Sequence, residues 1–63
     1  MDISRVKMCL NKRVLYDNSE YIMSGCIIRF DEKKGKYFYQ AELKSIISTN
    51  SLIYCKLEDV KEI

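Results

Sequence analysis

Residues 37–44 alternate without a break: Tyr37, Tyr39, Ala41 and Leu43 fall on one side, Phe38, Gln40, Glu42 and Lys44 on the other. That is the period-2 signature of a strand with one face on a core. In a chain of 63 residues the pattern is a strong constraint. A domain of this size buries only about 60% of the surface its unfolded chain exposes, so there is room for one small core. The first set is expected to be buried, and Gln40 and Glu42 to face water.

The segments around this strand have the same character. Arg13-Val14-Leu15-Tyr16 is a short β-type run, followed by Asp17-Asn18-Ser19-Glu20, all turn-forming types. Tyr21 to Phe30 is rich in Ile, Tyr and Phe and reads as a long strand. Gly25 lies inside it, where a glycine marks a bulge or a sharp bend. Asp31-Glu32-Lys33-Lys34-Gly35-Lys36 is the strongest turn, with Gly35 free to adopt positive φ. A further turn is expected around Thr49-Asn50-Ser51. Leu52 to Leu57 forms the next strand, with Ile53, Cys55 and Leu57 on one face. Leu57-Glu58-Asp59-Val60 reads as one helical or 3-10 turn, and Lys61-Glu62-Ile63 as a brief last strand.

Residues 3–10 admit two readings within the single domain 1–63. Ile3, Val6 and Leu10 follow helical spacing, with Asp2 or Ser4 as an N-cap. Val6, Met8 and Leu10 also alternate with Arg5, Lys7 and Cys9, as in a strand, and a strand from near Val6 is expected.

Four to five short strands joined by tight turns indicate an all-β sandwich or barrel, and 63 residues are too few for a sandwich of about 100. A small, strongly bent barrel is expected. The short run 13–16, the bend at Gly25, the hairpin around Gly35 and the turn 57–60 before a last strand together resemble the SH3-like barrels, Tudor and KOW-type variants included. The resemblance covers residues 12–63 and is one of pattern. Tudor-type barrels often hold a methylated cation in an aromatic cage, but Tyr16, Tyr21, Tyr37 and Tyr39 lack the spacing to assign one.

Charge and cysteines set the expected surroundings. Eleven basic against nine acidic residues give +2, a weaker excess than the strongly basic balance of a dedicated nucleic-acid domain. Within it, residues 1–15 carry Arg5, Lys7, Lys12 and Arg13 against Asp2, whereas residues 54–63 are mildly acidic. Cys9, Cys26 and Cys55 are an odd set, unlike a disulfide framework. No secretory h-region follows Met1-Asp2, and no apolar run exceeds the four residues Leu52–Cys55. Reduced thiols in a cytoplasmic protein are expected, with Cys26 and Cys55 packed as small hydrophobes.

Histidine is absent, which removes the commonest general base and metal ligand. Three isolated cysteines do not make a zinc site, and Gly25 and Gly35 stand too far apart for a phosphate loop. The pairs Asp31-Glu32 and Glu58-Asp59 lie in turns, where solvation is the ordinary reading. No enzyme activity, cofactor, metal or small-molecule substrate is expected, and no membrane span.

Two binding readings remain. The hairpin 29–39 interleaves Arg29, Lys33, Lys34 and Lys36 with Tyr37, Phe38 and Tyr39, the combination a single-stranded nucleic acid uses. Phe38, on the polar side of the alternation, is its one expected exposed aromatic. The other reading is a protein contact, through an unpaired strand edge or self-association, with Met1, Met8 and Met23 as adaptable apolar surface if exposed. The protein-contact reading leads because the charge excess is small. Arg29, Lys33, Lys34, Lys36 and Phe38 are the candidate binding surface.

Overall fold

The computed structural model describes residues 1–48 and 50–63. Asp2 caps the N-terminus: its Oδ2 accepts from the Ser4 amide at 2.9 Å and also from the Ser4 hydroxyl. A 3-10 turn, Ile3–Arg5, runs directly into α1, Val6–Cys9. The expected strand near Val6 is therefore a helix. What decides it is that Val6 and Cys9, three residues apart, are the two side chains that reach the core, while Met8 and Leu10 are exposed. Asn11, at φ 63°, ends the helix in the left-handed region.

Five strands follow: β1 Arg13–Tyr16, β2 Ser19–Asp31, β3 Lys36–Ser45, β4 Leu52–Lys56 and β5 Lys61–Glu62. A second 3-10 turn, Leu57–Asp59, separates β4 from β5. All pairings are antiparallel, in one sheet of order β4-β3-β2-β1-β5. The ladder is not closed into a barrel, because β4 and β5 are its two outer strands.

The turns are tighter than the residue types alone suggest. Tyr16 pairs with Ser19, so the β1–β2 loop is only Asp17-Asn18, with φ of 50° and 62°. Two successive positive φ values are what a two-residue hairpin requires, and Asp and Asn tolerate them. Ser19 and Glu20 already belong to β2. Between Met23 and Gly25 the register against β3 slips, placing a bulge at Ser24. At the next hairpin Asp31 Oδ1 accepts from the Lys33 and Lys34 amides, and Gly35 has φ 64°. Between β3 and β4, Ser45 Oγ accepts from the amides of Ile47 and Ser48; of the turn expected there, Thr49 lies outside the described residues.

One face of the sheet, closed over by α1 and the second 3-10 turn, forms the core: Val6, Cys9, Val14, Met23, Ala41, Leu43, Cys55, Leu57 and Val60. Met23 is wholly buried, so of the three methionines proposed as surface it is core, and Met8 is the exposed one. Ala41 faces Cys26 on one side and Cys55 on the other. Two strand spacings of about 4.8 Å keep those sulfurs from bonding, and all three cysteines are free thiols. The basic and acidic ends of the sequence meet: Arg5 grips Glu62 with Nε and Nη2, the latter at 2.9 Å.

Candidate contact surface

β2 and β3 are longer than the strands beside them, and that difference creates the site. β1 pairs with β2 only through Ile22, after which Met23 bonds to the backbone of Asn11 and Lys12. β4 pairs with β3 only from Gln40 to Lys44. The four rungs Ile28–Tyr39, Arg29–Phe38, Phe30–Tyr37 and Asp31–Lys36 thus stand as a two-stranded ribbon beyond the body of the sheet. The elongated shape, 37 × 23 × 19 Å, reflects it.

The core face continues along this ribbon, but the core does not. Met23, Cys26, Ile28 and Phe30 share a face with Leu43, Ala41, Tyr39 and Tyr37 through their pairings. Leu43 and Ala41 are fully buried and Tyr39 packs against the core, whereas Ile28, Phe30 and Tyr37 are 65%, 52% and 72% exposed. Tyr37 is therefore not the core residue its alternation suggests. It pairs with Phe30, ring centroids 5.1 Å apart, and both remain more than half exposed.

The opposite face of the ribbon carries most of the residues expected to bind. Arg29 is exposed and lies opposite Phe38; Lys36 is exposed opposite Asp31; Lys33 and Lys34 stand at the tip. Phe38 is half-buried rather than freely exposed. The aromatics presented to solvent are Phe30 and Tyr37, on the other face. The signal for this is length: strands of thirteen and ten residues flanked by strands of four and five cannot be covered along their whole length.

A groove of about 490 Å³ runs along the free edge of β3. Tyr37, Phe38 and Tyr39 line it together with Ile3 and Leu57. Its lining also carries Lys34, Lys36 and Lys56 with Asp2, Asp31 and Glu58. With the Met1 ammonium, four cations against three anions make a mixed surface, unlike a track for a phosphate backbone. The Met1 ammonium at the groove donates to the carbonyls of Leu57 and Val60.

Elsewhere on that solvent face, Glu42 and its neighbours form a polar cluster. Glu42 Oε1 accepts from Ser24 Oγ at 2.7 Å and Oε2 from the Tyr54 hydroxyl at 2.9 Å. These bonds hold the Glu42 carboxyl below its ordinary range and push the Tyr54 phenol up. Glu42, expected in water, is half-buried, as is Gln40. The cluster fastens β2, β3 and β4 across the bulge. Burial raises the thiols of Cys9, Cys26 and Cys55, the direction opposite to nucleophile activation. Among the described residues no three Cys, Asp or Glu side chains converge as a metal site, and no helix is long and apolar enough to cross a membrane. Tyr16 packs on Tyr21, ring centroids 6.2 Å apart, while Tyr37 packs on Phe30, so the tyrosines do not gather as one cage.

No family model, curated protein or solved structure matches this chain.

Proposed function

We propose that this chain is a non-catalytic contact module of the cytoplasm, built on an SH3-like sheet, whose β2–β3 ribbon holds another polypeptide. The single observation behind the proposal is the continuation of the core face into solvent at Ile28, Phe30 and Tyr37. A two-stranded ribbon is marginal by itself, and three neighbouring large apolar side chains left uncovered mark an interaction site. The SH3-like reading draws support from the strand order, from the pairing of β5 back onto β1 and from the 3-10 turn just before β5.

A nucleic acid is the second reading, favoured by Arg29, Lys33, Lys34 and Lys36 on one arm. Mixed charge in the groove and a half-buried Phe38 weigh against it. Placing a photoreactive phenylalanine analogue at Tyr37, and at exposed Ile47 as a control, tests the choice in cells. Polypeptide adducts at position 37 and none at 47 are the expected result. Nucleic-acid adducts alone, or no adducts at 37, overturn the proposal.

A further inference from the structure

The sheet has several open edges, and they are not alike. The open side of β5 is two residues long; that of β4 runs five residues, ends in Lys56 and turns away. Lys36 to Tyr39 of β3 are open for four residues beside the groove. The open side of β2 runs from Ser24 to Asp31, eight residues with no backbone partner away from β3 among the described residues. Exposed edges are ordinarily kept from pairing by Pro, Lys, short length or a covering element. Ser24-Gly25-Cys26-Ile27-Ile28-Arg29-Phe30-Asp31 has no Pro, no Lys, and one charge before its last residue. Ile27, Ile28 and Phe30 are also strong strand formers.

We infer that this edge is a homodimer interface, in which β2 pairs antiparallel with β2 of a second copy. The inference rests on the contact-module reading and names the partner. An edge that pairs with its own copy about a two-fold axis makes a closed, isologous contact, and the residues of this edge select one register. Asp31 directs its carbonyl toward the hairpin, where it accepts from the Gly35 amide at 2.8 Å. By alternation, Phe30, Ile28 and Cys26 turn their N–H and C=O groups to the open side. Placing Ile28 opposite Ile28 of the second copy then forms three hydrogen-bonded pairs, with Cys26 facing Phe30 on either side of the axis.

Neighbouring registers are worse for separate reasons. One step toward the tip places Arg29 opposite Arg29, a like-charge pair. One step the other way requires Asp31 opposite Met23, whose backbone already bonds to Asn11 and Lys12. In the selected register Arg29 faces Ile27 and Asp31 faces Gly25. Glu32 of the second copy arrives at the Asn11–Lys12 segment, where Lys12 offers the opposite charge. The apolar face of the ribbon becomes continuous across the axis.

Sedimentation equilibrium at about 100 µM, well above a micromolar Kd, tests the inference. The wild-type chain is expected at twice its 7.5 kDa mass. Ile28→Pro removes an N–H that the monomer leaves unbonded, and Ile28→Arg sets like charges across the axis. Each is expected to weaken association at least tenfold and leave the far-UV spectrum unchanged; if the proline variant does not fold, the arginine variant decides. A monomeric wild type, or folded variants that remain dimers, overturns the inference. The adducts formed from position 37 separate the two ideas. A monomer that still yields adducts with a different polypeptide removes only the second copy as partner, and absence of any polypeptide adduct removes the contact reading itself.

Discussion

Phe30 and Tyr37 stand directly opposite each other on the ribbon, ring centroids 5.1 Å apart, with more than half of each side chain in solvent. Such a cross-strand pair is worth about 0.2–1 kcal/mol, and no third layer supports it. The ribbon is therefore held much less firmly than the rung of Met23 and Leu43, both fully buried. In dilute protein, the hydrogen-bonded amides of residues 29–31 and 36–38 should exchange with solvent at least about tenfold faster than those of residues 41–43. Amide exchange followed by NMR checks this, and equal protection in both regions would show that the ribbon belongs to the cooperative core.

Nucleic acid should not bind with measurable affinity. Even non-specific binders reach about 10⁻⁴–10⁻⁶ M at physiological salt and bind more tightly below it. A gel-shift series at low salt with single- and double-stranded oligonucleotides should show no retardation. If retardation appears, falls steeply with salt and is lost on changing Lys33, Lys34 and Lys36 to Ala, the basic arm is a phosphate contact.

The three thiols should label in a fixed order. Cys9 and Cys55 are buried and Cys26 is half-buried, and burial raises all three. A thiol reagent should modify Cys26 first and the other two only through unfolding. Because Cys26 faces Phe30 across the inferred dimer axis, its labelling should slow as protein concentration rises. Rapid, equal labelling of all three would contradict the packing described.

Acid should weaken the fold through identifiable carboxylates. Glu42 and Glu62 are both depressed below the ordinary 4.5, Glu42 first by Ser24 and Glu62 first by Arg5. A depressed carboxylate stabilises the folded state above its unfolded value, and that stabilisation is lost as pH falls through the folded value. The loss of stability from about pH 7 to about pH 3 should shrink in Glu42→Gln, measured by urea unfolding. In Tyr54→Phe, NMR titration should find the Glu42 carboxyl moved back up toward 4.5.

Much of the sheet was legible in the residues. Period-2 alternation located β3, Gly25 marked the bulge, Gly35 the hairpin, and Leu57-Glu58-Asp59 the turn before the last strand, because each rests on a local backbone requirement. Residues 3–10 were not, since Val6 and Leu10 satisfy both periodicities; the packing of Cys9, a tertiary fact, decides between them. Tyr37 failed for a related reason. Alternation assigns a residue to a face but not to a depth, and how far the core extends along β3 depends on where β1 and β4 stop. The same limit explains why alternation points to Phe38, and not to Phe30 or Tyr37, as the exposed aromatic.

The most direct test of the ribbon as a contact surface is the double variant Phe30→Ser/Tyr37→Ser, with a photoreactive phenylalanine analogue introduced at Ile28, on the same face, and adduct yield measured alongside unfolding free energy. If both rings serve contact, stability should fall by less than about 1.5 kcal/mol, the scale of one aromatic pair. Leu43→Ala, by comparison, should cost about 2–5 kcal/mol. Polypeptide adducts from position 28 should disappear in the double variant. Adducts persisting at full yield, or a loss of stability as large as that of Leu43→Ala, would contradict the assignment.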